Sequence, residues 1–361
     1  MAAVRMAFDL RKLTIAAAGI LALQLGWWLL NLAFSDSSAV TPDVLPPTTA
    51  SRTGDDLKWT TEGLIERLSA PARNLIVPLF ALLDPKNRWL AMLHALLAVG
   101  WLIVVWGYCG GAIARIAAIQ EAQTRQPRIA EAVRFALRSG PPLIVTPVYP
   151  LLGLAFCSLT GLLFGLLYRI PGGPVIGGFL VFIPLLAGVV MAILVAALVA
   201  GWPMFHAALA AGADDALDAL SRTYSYLNQR LAHFAAGVAI AALAGFAGLT
   251  LVDWFAGGIL RLTRWSLSLS GPPSDIALLF GPEAAGSGTL ASATHHFWLG
   301  AVRLLARAWS YSYFWSAAVV LYLWLRHEVD GTPTVVIDPP GPASGLEPHT
   351  PDALPEKDSA P

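Results

Sequence analysis

Residues 142–205 decide the fold: PLIVTPVYPLLGLAFCSLTGLLFGLLY (142–168), RIPGGP (169–174), then VIGGFLVFIPLLAGVVMAILVAALVAGWPMF (175–205). Neither long run contains Asp, Glu, Lys or Arg. Each exceeds the about 20 residues a helix needs to cross a hydrocarbon core of about 30 Å. Lipid offers no partner for backbone amides, and coiling into a helix satisfies them internally. The intervening Arg169–Pro174 predicts a tight turn, which makes the two runs a hairpin. The second run, about 31 residues, would be about 46 Å long as one helix. It must tilt, kink at Pro184 or begin later, near Phe179, so its span is set at about 178–205.

Working outward, further apolar runs cover about 13–34, 89–112, 232–257 and 308–325, the last continuing a helix begun near Phe297. The expectation is an all-α, polytopic transmembrane helix bundle of about six spans, with interfacial amphipathic helices. Composition agrees. Of 361 residues 56% are hydrophobic and 13% charged, and the mean hydropathy is +0.63; soluble domains carry about 25% charged residues. A net charge of zero gives no electrostatic case for nucleic acid. Cys109 and Cys157 fall inside apolar runs and read as small packing residues.

Arg5, Arg11 and Lys12 before the first span resemble the start of a signal peptide, but the apolar run is too long and no small-x-small site follows closely. An uncleaved anchor is expected. Residues 35–58 form a polar linker with Pro42, Pro46 and Pro47. Within 59–88, Leu64, Ile65, Leu68, Leu75, Ile76 and Leu79 recur at helical spacing, interrupted by Pro71 and Pro78. The stretch is expected to lie in the interface or to dip in and return. The membrane domain thus covers 1–329. Residues 330–361, rich in proline and poor in apolar periodicity, predict a disordered cytoplasmic tail.

Short loops orient the chain. Arg5, Arg11 and Lys12 precede span one, and Arg115, Arg125, Arg128, Arg134 and Arg138 separate spans two and three, whereas the hairpin turn offers only Arg169. Basic residues favour the cytoplasmic side, so both termini are expected there, although the 23 Lys and Arg divide 12 inside to 11 outside overall. Trp27, Trp28, Trp89, Trp106, Trp202, Trp254, Trp309 and Trp324 fall near span ends, as an aromatic belt would place them.

Two cytoplasmic segments are amphipathic. In 127–139, Ile129, Val133 and Leu137 share one face, with Arg128, Glu131, Arg134 and Arg138 on another. In 214–230, Leu217, Leu220, Tyr224, Leu227 and then Leu231 line one side, and Asp214, Asp215 and Asp218 occupy the first turns. Each runs directly into a span. The run Asp215–Tyr226 (DALDALSRTYSY), and less strongly Gly110–Ala118 (GGAIARIAA), resembles segments of multi-pass bacterial membrane proteins without assigned chemistry, notably of planctomycetes. The layout is also loosely similar to the membrane domain beside some glycerophosphodiester phosphodiesterases, whose catalytic domain is not in this sequence. The resemblance implies a bacterial inner-membrane protein and brings no catalytic residue with it.

Few polar groups are candidates for function. Asp253 is the only carboxylate in an expected span, where a charge costs about 2.5–3.5 kcal/mol; a hydrated place at the outer end, beside Trp254, is the alternative. His94 is a candidate for proton transfer or a hydrogen-bonded structural residue. Asp215 and Asp218, with Asp214, are candidates for a metal site or merely complement a helix N-terminus. Arg222 is placed to bind an anionic headgroup or to pair with Asp218. Adjacent His295 and His296 lack the spaced partners of a zinc site. The ladders Gly107-x3-Gly111 and Gly153-x3-Cys157-x3-Gly161-x3-Gly165 allow close helix approach, within the bundle or between copies.

No cofactor or metal is expected, and the expected partners are the lipid bilayer and anionic lipid or protein contacts through 127–139 and 214–230. A non-catalytic membrane scaffold or complex subunit fits best. A permease for an apolar or lipid substrate and a lipid-modifying membrane enzyme are the alternatives.

Overall fold

The computed structural model describes residues 2–34, 61–84, 89–123, 125–272, 290–333 and 337. Among them lie eleven helices and no strand: α1 (Ala2–Ala7), α2 (Leu10–Ala33), α3 (Thr61–Leu82), α4 (Trp89–Gln123), α5 (Ile129–Arg138), α6 (Gly140–Leu167), α7 (Gly173–Leu180), α8 (Phe182–Ala211), α9 (Ala216–Gln229), α10 (Leu231–Ser268) and α11 (Leu290–Asp330). Five of these, α2, α4, α6, α8 and α10, are long and apolar enough to cross a membrane. The chain is an all-α membrane helix bundle.

The hairpin of 142–205 is α6 paired with α8. Its turn needs glycine twice. Gly172 has φ +82°, and a Cβ on Gly173 would fall 1.8 Å from the Leu167 carbonyl oxygen. The long run does not kink at Pro184. It breaks at Val181, and Pro184 falls in the first turn of α8, where its missing N–H has no helical acceptor to forgo. The outer half of the hairpin exposes Phe156, Leu163, Phe179, Leu185, Val189 and Ile193, a surface suited to lipid rather than water. The small-residue ladders divide. A Cβ on Gly107 would meet Ile144 at 3.2 Å and one on Gly111 would meet Leu143 at 2.6 Å, so this pair seats α6 on α4; Gly161 and Gly165 have nothing within 4 Å.

The sixth expected span, 308–325, lies within α11 and serves as the axis of the bundle, packed against α1, α2, α3, α4, α8, α9 and α10. Six consecutive residues, Ala308 to Tyr313, are buried. A buried hydroxyl needs a partner, and three on α11 find one, whereas Ser310 Oγ finds none among the described residues. Ser312 Oγ donates to Ala7 O at 3.1 Å, Tyr313 Oη donates to Ala241 O at 2.5 Å, and Ser316 Oγ accepts from Lys12 Nζ at 3.0 Å.

This axis overturns the aromatic-belt expectation for half of its tryptophans. Trp28, Trp89 and Trp254 are exposed, but Trp27, Trp106, Trp202 and Trp309 are buried. Trp106 stacks on Tyr311 with centroids 4.8 Å apart, and Trp309 stacks on Tyr313 at 5.2 Å. Large rings fill the space around α11, and their stacking adds about 0.5–1.5 kcal/mol per pair beyond simple burial.

Helix α3 runs unbroken through Pro71 and Pro78 instead of being interrupted there. It buries Leu64, Ala70, Leu75 and Leu79 against α4, α10 and α11, and this packing offsets the about 3 kcal/mol each internal proline costs. The amphipathic helices α5 and α9 join spans α6 and α10 through the single residues Ser139 and Arg230. Their inward faces differ from the expected ones. Helix α5 buries Ala132, Phe135 and Ala136 and exposes Ile129, Val133 and Leu137. Phe135 lies under the Arg115 guanidinium at 5.0 Å, and the two alanines let α5 approach α4 closely. Helix α9 buries Ala216, Ala219, Thr223, Tyr226 and Leu227, leaving Leu217 exposed; Leu231 begins α10 and is exposed too. Of the expected tail only 330–333 and Ile337 are described: Asp330 is the last residue of α11 and Ile337 packs against the core, while the rest of 330–361, and the linker 35–58, lie outside the described residues.

Candidate functional site

Helix α10 carries Asp253 toward α3, where it is buried rather than hydrated. Arg67 Nη2 stands 2.9 Å from its Oδ2, an ion pair whose approach is off the hydrogen-bonding direction. Arg67 Nε also donates to Gly63 O one turn back at 3.1 Å, which fixes the guanidinium against its own helix. Around this pair α3 adds Arg73 Nη1 donating to Glu66 Oε1 at 3.0 Å, and Asn74 Nδ2 donating to Tyr311 Oη on α11 at 2.6 Å. At the junction of α3, α10 and α11, the buried Asp253 and Asn74 therefore lie beside an ion pair that opens to the surface. The sequence left Arg67 unassigned because segment 59–88 looked broken by its prolines. Its signal is its place between Leu64 and Leu68 at helical spacing, on the edge of an apolar face.

The acidic cluster of α9 is held by local geometry. Asp215 is the N-cap, its Oδ1 accepting from Asp218 N at 2.8 Å. Asp218 Oδ2 accepts from Asp214 N at 3.1 Å, and Asp218 Oδ1 accepts from Arg222 Nε at 2.6 Å. Capping and an i,i+4 pair account for all three residues. Further along α9, the Tyr226 hydroxyl donates to Asp330 Oδ2 at the end of α11, and burial together with this bond pushes its phenol well above the usual range. Burial pushes the Tyr224 phenol up to about 12.

His94 is fully buried near the start of α4, its ring stacked on Phe34 at 5.1 Å with 2° between planes. It stands apart from Asp253. A second buried histidine, His206, escaped the sequence reading; its Nδ1 lies 3.2 Å from Trp202 O and its ring is 4.7 Å from Trp315. Lys12, expected in a basic flank, is buried at the foot of α2 against α11. Thus Asp253, His94 and the Asp215–Asp218–Arg222 group occupy three different places and do not converge. Among the described residues, no three His, Cys, Asp or Glu are placed to hold a metal ion; the side chains of His295 and His296 lie outside that set.

One end of the bundle gathers the chain's basic loops. Asp9 caps α2 and Arg11 reaches across to Pro127 O and, at 2.5 Å, to Gln126 Oε1; Gln120 Nε2 donates to Asp9 Oδ2 at 2.5 Å. Arg115 Nη1 donates to Ala210 O at 2.7 Å, tying the ends of α4 and α8. Fold and sites together define a class, the polytopic α-helical membrane bundle, with a cap of short amphipathic helices at one end. No protein-family model, curated protein or solved structure matches this chain.

Proposed function

We propose that this chain is a non-catalytic membrane scaffold or complex subunit of the bacterial cytoplasmic membrane, with both termini facing the cytoplasm. The outward face of α5 carries the proposal. One side of this helix is clamped to α4, while Ile129, Val133 and Leu137 point away from the bundle, accompanied by exposed Arg128, Arg134 and Arg138. An apolar stripe flanked by arginines, joined through Ser139 to a membrane helix, suits the surface of an anionic leaflet or the flank of a partner. The clustering of Arg11, Arg115, Arg125 and α5 at one end supports a cytoplasmic place for that end. Helix α9 offers Leu217 and Ser221 on a similar exposed edge.

The test is purification in mild detergent of wild type and of the Arg128→Gln, Arg134→Gln, Arg138→Gln triple variant. Loss of a stoichiometric protein or anionic lipid from an otherwise folded variant supports the scaffold. Equal co-purification from both removes it. A permease for an apolar or lipid substrate is the second reading, favoured by the buried Arg67–Asp253 pair. Asp253→Asn abolishing a cellular phenotype at normal protein level would promote it. Loss of a metal-dependent activity on Asp215→Ala or Asp218→Ala would instead indicate a membrane enzyme.

A further inference from the structure

At the junction of α3, α10 and α11, among the described residues, three guanidiniums face two carboxylates. Arg67 has Asp253, and Arg73 has Glu66. Arg307, the third, is half-buried on α11 and among the described residues makes no hydrogen bond or ion pair. Arg67, Arg73, Glu66 and Tyr311 all lie within its electrostatic range. Arg307 is half-buried, and the Arg73–Glu66 pair beside it opens to the surface; a partly desolvated guanidinium next to two others, with one negative charge too few among the described residues, favours an anion that joins it. The fork of N–H groups that guanidinium presents matches carboxylate and phosphate oxygens.

What lies next along α11 narrows the ligand. Arg307, Tyr311 and Phe314 follow one another at i, i+4 and i+7 on a single face. Tyr311, fixed by Asn74 and stacked on Trp106, marks the end of the polar zone. Phe314, about 10 Å from Arg307 along the axis, lines a cleft of about 60 Å³ between α3 and α8, with Leu75, Ile76, Val199 and Trp202. A cationic end followed by an apolar cleft is the shape of a site for an anionic amphiphile.

We propose that this junction binds a phosphate- or carboxylate-bearing group, with Arg307 as the principal ligand and Arg73 beside it. The site lies apart from α5 and α9, on different helices and with a different charge source. The neighbouring cleft favours a lipid headgroup over a free anion, and the chemistry at Arg307 is the same for both.

The full-length protein in phosphatidylcholine nanodiscs, with and without phosphatidylglycerol, separates these cases. Phosphatidylglycerol retention is read by native mass spectrometry, and thermal stabilisation by inorganic phosphate is read in the neutral discs. Wild type is expected to retain phosphatidylglycerol at least about tenfold better than Arg307→Gln, the loss expected when one charge-assisted contact is removed. Arg307→Lys should be intermediate, and Arg303→Gln, an exposed arginine one turn away on the same helix, should match wild type. Stabilisation by phosphate in neutral discs, lost in Arg307→Gln, would assign the site to free anions. Equal lipid retention by wild type and Arg307→Gln, with no difference in phosphate stabilisation, overturns the proposal. If Arg307→Gln does not fold, Arg307→Lys and wild type decide: equal preference for phosphatidylglycerol over phosphatidylcholine in both overturns it as well.

Discussion

Lys12 Nζ donates to Ser316 Oγ at 3.0 Å, joining α2 to α11 where neither residue is accessible to solvent. The bond crosses most of the chain and fixes α2 against α11. Ser316→Ala leaves the buried Lys12 amino group without this acceptor and should cost about 1–3 kcal/mol. Lys12→Met keeps the volume and removes the buried amino group, and should equal or exceed wild type. Thermal unfolding in detergent checks the order, and a Lys12→Met protein less stable than Ser316→Ala would contradict it.

The Arg67–Asp253 pair predicts coupling. Arg67 is about one-third exposed on its side chain and Asp253 5%, so the pair is screened on one side only. Asp253→Asn and Arg67→Gln should each destabilise, and the double variant should recover about 1–2 kcal/mol relative to the sum. A coupling energy of zero in the double-mutant cycle would show that the pair does no stabilising at all.

Gly110, beside the first glycine ladder, and Gly161, within the second, should respond differently to a methyl group. A Cβ on Gly110 would meet the Trp315 ring at 2.8 Å, and a ring set in a packed core has little room to yield. Gly110→Ala should therefore cost about 1–3 kcal/mol. Gly161→Ala, with nothing within 4 Å, should stay within about 0.5 kcal/mol of wild type. Melting temperatures of the two variants side by side make the comparison.

Asp215 caps α9, and its loss should cost about 1 kcal/mol. The cost should be the same with EDTA as with magnesium, because the carboxylate serves a backbone N–H. A cation-dependent difference in stability would restore the metal reading of the cluster.

Tyr224 gives a pH signature. Burial raises its phenol to about 12, above about 10 in an unfolded chain. With the raised value on the folded side, its contribution is intact below the unfolded pKa and is lost as pH climbs toward the folded one. Tyr224→Phe should thus flatten part of the alkaline decline in melting temperature between about pH 10 and 12. An unchanged decline would mean that the hydroxyl is ionising freely.

Legibility followed the strength of the periodic signal. The charge-free runs around RIPGGP gave the hairpin and its turn, because lipid leaves a long apolar segment little choice but to coil. The α5 helix was equally visible, yet its inward face was not. Ile129, Val133 and Leu137 form the more apolar stripe, and the structure turns them outward because Ala132 and Ala136 fit closer to α4. Trp106 and Trp309 looked like belt residues for a similar reason: their distance from span ends is readable, whereas the partner that stacks on them is not.

By itself, the sequence determined that the chain is a membrane helix bundle, where the hairpin turns, and that an acidic cluster opens α9, since each depends on residues close together along the chain. Only the tertiary structure decided that α11 is the axis, that Asp253 meets Arg67, that Lys12 is buried, and that Arg307 stands without a partner among the described residues. Those facts depend on which helix faces which. In a bundle where nearly every helix is apolar, hydrophobicity cannot distinguish a neighbour from lipid, and the choice falls to shape, ring stacking and the pairing of a few polar groups.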